Sequence, residues 1–154
     1  MPGRSFEQFQ VGEVLRHREQ VDVTMEDNVT FCRITRNNQP LHLDPAYAAG
    51  TPFGRVVVNG LYTMSVATGV SVEDTTAGTL VANLGYEDVQ HPKPVFPGDR
   101  LSFETEVVAK RESSKPGRGI VTLLHRVRNQ QGDEVCRFRR IVMVQTLEAQ
   151  AGAR

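Results

Sequence analysis

The sequence predicts an α+β domain, an antiparallel sheet wrapped around one buried central helix. Three observations carry that prediction. The run Leu61-Tyr62-Thr63-Met64-Ser65-Val66-Ala67-Thr68-Gly69-Val70 holds no charged residue, whereas a helix on a protein surface keeps a polar face. The C-terminal part of the chain alternates apolar and polar residues between turn signals, the period of half-buried strands. Finally, 154 residues suit a single core, so 1–154 is expected to form one domain, with short flexible tails at about 1–5 and 148–154.

Taken in order, Phe6, Phe9 and Val11 lead through Val14-Leu15 to Val21-Asp22-Val23, giving one or two short strands. Thr24, with Asp27 three residues on, is the expected N-cap of a short helix that carries Phe31 and Ile34 on one face. The polar stretch from Arg36 to Gln39 ends that helix ahead of Pro40, because a residue before proline avoids the helical region. Asp44-Pro45 reads as a cap followed by proline at the first helical position, and Gly50 stops the turn of helix that follows. Val56-Val57-Val58-Asn59-Gly60 then leads into the uncharged run. Its threonines and Gly69 are poor helix formers, so packing must hold it, and it is expected to be buried nearly all round.

The strands come next. Leu80 to Leu84 precedes a proline-broken stretch, His91 to Pro97, and a turn at Gly98-Asp99. Leu101, Phe103, Thr105 and Val107 alternate with Ser102, Glu104 and Glu106. Gly117-Arg118-Gly119 opens a strand over Ile120 to Val127, and Gln131-Gly132-Asp133 turns into Val135 to Val144.

Composition narrows the function. The formal net charge is zero, which argues against a nucleic-acid binder, since those carry a basic excess on one face. No stretch approaches the roughly 20 apolar residues of a membrane span, and Met1 to Ser5 lacks the apolar segment of a secretory signal. Cys32 and Cys136 lack metal-ligand spacing, so no metal is expected. Cys32, among apolar neighbours, reads as a buried free thiol, and a reducing cytoplasm fits.

Phe31-x-x-Ile34-Thr35-x-Asn37-x-Gln39-Pro40-Leu41-His42-x-Asp44-x-x-Tyr47-Ala48 resembles the hydratase signature of MaoC-like dehydratases and R-specific enoyl-CoA hydratases. Phe53-Gly54-Arg55-Val56-Val57-Val58-Asn59-Gly60-Leu61 resembles that family's approach to its central helix, and Lys93-Pro94-Val95-Phe96-Pro97-Gly98-Asp99 its strand entry. The resemblance runs from about Phe6 to Gln145. It implies a hot-dog fold, paired at least as a homodimer, and a substrate that is an acyl-CoA thioester, with no cofactor beyond the coenzyme A of the substrate. An unpaired edge at Leu80 to Leu84 in a monomer points the same way.

Two positions depart from the family pattern. Arg36-Asn37-Asn38-Gln39-Pro40 stands where Gly-Asp-x-Asn-Pro is usual, and Asn59-Gly60 where His-Gly is common. The Asn-x-Gln-Pro-Leu-His form is similar to the branch acting on branched or dicarboxylic acyl-CoAs such as mesaconyl- or itaconyl-CoA.

Adding water across an α,β-unsaturated thioester requires a base for the water, an acid for Cα and donors for the thioester oxygen. In the family an Asp and a His five residues apart flank the water. Here His42 is the base, and Asn37 stands in the aspartate's place; an amide can hold the water or orient His42 but cannot take its proton. Gly60 is the candidate oxyanion donor, since a glycine at a helix N-terminus admits a ligand closely and the free N–H groups favour negative charge, although packing at a tight strand–helix join would also ask for glycine. Ser65 is a candidate acyl-pocket residue. Asn59 and Gln39 flank the site. Arg36 could attract an anionic acyl chain or be a solvated helix-end charge, and Lys93 could meet a CoA phosphate or be simply solvated. Asp44 reads as a cap and Arg55 as a structural ion-pair partner. His17, His91 and His125 read as surface or sheet histidines, and Arg137, Arg139 and Arg140 as a charged exposed face.

The rival activities are a hot-dog thioesterase and a catalytically silent acyl-CoA binding subunit. The absence of Asp or Glu between Gly54 and Val72 counts against the first, whereas Asn37 lends weight to the second.

Overall fold

The computed structural model describes residues 3–152. Its centre is α4 (Gly60–Thr75), the uncharged run extended by one turn. Around it curve β3 (Leu80–Gln90), β4 (Arg100–Glu112), β5 (Arg118–Arg128) and β6 (Glu134–Gln145), with the short β1 (Val14–Arg16) and β2 (Val21–Asp22) both on β4. The strands are antiparallel in the order β1-β4-β5-β6-β3. This is the hot-dog arrangement. Three short helices, α1 (Met25–Ile34), α2 (Pro40–Leu43) and α3 (Pro45–Ala49), lie between β2 and α4, and α5 (Leu147–Ala151) follows β6.

Alternation along the strands points Leu101, Phe103 and Val107 of β4, Leu123 and Val127 of β5 and Phe138 and Val142 of β6 inward, all buried. Those residues form two apolar clusters. One joins Tyr62, Met64 and Ala67 of α4 to Leu101, Phe103, Val127 and Phe138; the other gathers Phe9, Val107, Val121, Leu123, Val142 and Val144.

Between the clusters the inward positions are polar: Thr105, His125 and Arg140, one from each of three adjacent strands. His17 hydrogen-bonds Asp74 at 2.6 Å through Nδ1 and Thr105 at 2.8 Å through Nε2, and Thr105 continues to His125 Nδ1 at 2.9 Å. His17 and His125 are therefore buried members of one chain of hydrogen bonds. The sequence reading of Arg140 as exposed is also corrected. Period-two alternation sends Arg137 and Arg139 outward to Glu134 and Asp88 but turns Arg140 inward, where its Nε donates to Asn83.

Burial, with the nearby charges of Arg140 and His17, pushes His125 down to about 3. The sign follows directly. Between the ordinary histidine value of 6.5 and about 3 the unfolded chain takes up a proton that the folded one refuses, so stability falls as pH falls. Denaturant unfolding should show wild type losing about 2 kcal/mol more than His125→Gln between pH 7 and pH 5. Equal losses would contradict this assignment.

Four further expectations are revised. The flexible tail at 1–5 is anchored in its described part: Gly3 N–H donates to Ala77 O, Arg4 N–H to Thr75 O, and Ser5 is buried. In the other tail Leu147–Ala151 form α5, capped by Thr146. Residues 1, 2, 153 and 154 lie outside the described residues. Ile34 is 68% exposed, because α1 buries the Asn28 and Cys32 face and Ile34 lies two positions past Cys32, around the helix. On α4, Leu61, Ser65 and Gly69 form an open stripe at the spacing of one helix face, so that helix is enclosed on all sides but one.

Candidate active site

Gln39-Pro40-Leu41-His42 is a turn of helix and not an irregular loop. Gln39 is the N-cap residue, Pro40 takes the first helical position, and Asp44 N–H donates back to Pro40 O at 2.8 Å. Asp44 then caps α3, accepting from the N–H groups of Ala46 and Tyr47. Two successive caps fix the half-buried His42 ring. Its Nδ1 lies 2.7 Å from Val57 O. A carbonyl oxygen can only accept, so Nδ1 carries a proton, and Nε2 is the ring nitrogen left without a partner among the described residues. Val57 N–H donates in return to Leu41 O at 3.2 Å, clamping α2 to the segment that leads into α4.

The start of α4 is organised by amides. Asn28, fully buried in α1, donates from Nδ2 to His42 O at 2.8 Å and accepts at Oδ1 from Asn59 N–H at 2.9 Å. Asn59 caps α4: its Oδ1 accepts from Leu61 N–H, and its backbone oxygen from Tyr62 and Thr63 N–H. Of the amides at this helix start, Gly60 N–H is the one left without a partner among the described residues. His42 Nδ1 and this free donor therefore sit at the two ends of one short segment, Val57 to Gly60.

A family model for a MaoC-like domain matches residues 6–129. The chain belongs to that family. It is 31% identical over 98% of its length to the mesaconyl-CoA hydratase of Cereibacter sphaeroides, of which it covers 44%. It is 38% identical to the (R)-specific enoyl-CoA hydratase of Aeromonas caviae, over 66% of this chain and 72% of that protein. Among solved structures, the monoamine oxidase regulatory protein from Archaeoglobus fulgius superposes with a TM-score of 0.86 at 30% identity, covering 95% of this chain and 97% of that one. This MaoC-like domain thus spans less than half the length of the mesaconyl-CoA hydratase it matches.

The other predicted residues of the MaoC-like domain fall in three places. Asn37 is half-buried after α1, its Oδ1 accepting from Gln39 N–H at 3.1 Å, so the amide helps shape the turn that carries His42. Arg36 has a positive φ of 61° and, with Val29, Arg33, Asn38 and Leu43, lines a shallow cavity of about 300 Å³ that His42 does not line. Ser65 lies on the open stripe of α4. Lys93 pairs with Asp133 at 2.6 Å and holds that carboxyl below its usual range.

Arg55 makes no ion pair among the described residues; its guanidinium stacks 3.7 Å from the Phe96 ring centroid. Arg55 and Lys93 both line an open groove of about 570 Å³. Neither His42 nor Gly60 lines it. No helix among the described residues is long and apolar enough to cross a membrane, and Cys32 and Cys136 are both free and buried.

One residue at the candidate site escaped sequence reading. Asn28 left one local signal, an amide four residues before Cys32 on the inward face of a helix that asparagine does not favour.

Proposed function

We propose that this MaoC-like domain is a hydratase or dehydratase of α,β-unsaturated CoA thioesters with a short, branched or dicarboxylic acyl chain. One observation carries the reading: His42, held in one tautomer by Val57 O, faces outward from the segment whose other end offers the free Gly60 N–H. In hydration His42 Nε2 takes a proton from water as the oxygen bonds to Cβ. The π electrons move onto the thioester oxygen beside Gly60 N–H, and the proton held on His42 Nε2 then adds to Cα as the carbonyl re-forms, which regenerates the base. The net change is one water added. Dehydration runs the same steps backwards.

The likeness to a mesaconyl-CoA hydratase supports the dicarboxylic choice, and with Asn37 neutral no carboxylate opposes an anionic acyl group there. The same reading pairs two copies in a reducing cytoplasm. β3 has a free edge with Leu80, Leu84, Tyr86 and Val89 exposed.

The test is a panel of enoyl-CoAs, crotonyl-CoA and mesaconyl-CoA among them, followed by enoyl absorbance and by free thiol. Loss of enoyl signal without thiol release is the expected result, with mesaconyl-CoA preferred. Thiol release would identify a thioesterase. Binding with no reaction would identify a silent subunit, a reading to which Asn37 lends some weight.

A further inference from the structure

His91 follows the last residue of β3, and the fold lays its ring on the start of α4. A Cβ built on Gly60 would lie 2.8 Å from His91 Cε1, 2.9 Å from Nε2 and 3.1 Å from Nδ1. Those three atoms are the nitrogen-bearing edge of the imidazole. The space that the missing side chain leaves is thus taken up by His91, in line with the packing reason for a glycine at this strand–helix join. Neither ring nitrogen has a hydrogen-bond partner among the described residues. A free imidazole edge therefore lies beside the one free amide of the helix start.

We propose that His91 supplies a second hydrogen bond, beside Gly60 N–H, to the thioester oxygen of the substrate. The inference rests on the hydration reading and adds to it the partner that a lone amide lacks. As the enolate forms, charge gathers on that oxygen, and two fixed donors stabilise it better than one. A neutral imidazole has one N–H to give and brings no ion that must be desolvated. His91 remains exposed, but the partial desolvation of its ring against the helix start lowers it from the ordinary histidine value, with no charged side chain contributing, so at neutral pH the ring is in that neutral form. No proton is transferred by His91: it donates a hydrogen bond throughout, and His42 remains the base.

Simple aromatic packing on Gly60 is the competing role, and His91→Phe separates the two because it keeps a flat ring while removing both nitrogens. On whichever enoyl-CoA of the panel wild type hydrates fastest, His91→Phe should lower kcat roughly 10²–10³-fold with KM little changed. His91→Gln, whose amide can donate, should recover part of the loss. The carbonyl itself provides a second readout. With the same enoyl-CoA bound to His42→Ala, the thioester C=O stretch should shift down from its value in water, and His42→Ala/His91→Phe should lose part of that shift. Wild-type kcat in His91→Phe, or a slowed variant with an unchanged carbonyl frequency, overturns the donor role while leaving the hydratase reading standing. A wild-type protein that hydrates nothing on the panel overturns that reading, and this proposal with it.

Discussion

Replacing His42 with alanine is expected to reduce kcat/KM for hydration about a thousandfold and to leave the fold in place. The size follows from His42 being the stronger base in the signature, the Asp44 carboxylate being taken up in capping α3. Asn37, five residues earlier, is an amide and cannot substitute. The fold should persist because the ring is only half-buried and makes one hydrogen bond, to Val57 O. Losing that bond costs on the order of 1 kcal/mol, a fall in Tm of about 2–4 °C for a chain of this size. Circular dichroism and thermal melts at matched protein concentration would separate the two effects. A variant that hydrates at the wild-type rate would remove His42 from the chemistry altogether.

His42 was legible because its signals are local. Pro40 at the first turn, Asp44 as the next cap and Gly50 as a stop are all read from neighbours in sequence, and the structure uses each of them in that way. The helix α4 was legible for a different reason: a run without charge has few places to go except inward. Long-range partners left no such trace. Lys93 meets Asp133 across 40 residues, His17 reaches Asp74 across 57, and His91 meets Gly60 only because the stretch after β3 runs back along Val58, whose N–H donates to Val95 O. Arg140 is a different failure. Its inward direction was already written in the alternation of β6, but a cluster of arginines reads as surface because buried guanidiniums are rare.

Asn28 shows what such long-range contacts do for the site, and its removal should be the most damaging change to stability at the site. One fully buried side chain holds the carbonyl of His42 and the N–H of Asn59, 31 residues away along the chain. It thereby fixes the base and the cap of α4 relative to each other. Asn28→Ala strands a part-buried acceptor and a buried donor, costing about 1–3 kcal/mol for the donor and toward the lower end of that range for the acceptor, against a gain in helix propensity of well under 1 kcal/mol. A net loss of about 3 kcal/mol is expected, lowering Tm by roughly 6–12 °C. Activity should fall further than stability explains. A shift of about 1 Å between the base and the oxyanion donor is enough to cost on the order of a hundredfold in rate, and this would be read at a temperature where the variant is still folded. Asn28→Asp sharpens the test, since it can still accept from Asn59 N–H but turns an oxygen toward the His42 carbonyl in place of a donor. That variant should lose activity as well, even if the α4 cap survives. An Asn28→Ala protein with unchanged Tm and unchanged kcat would show that α1 and the caps hold His42 without it, and that the amide bridge only fills space.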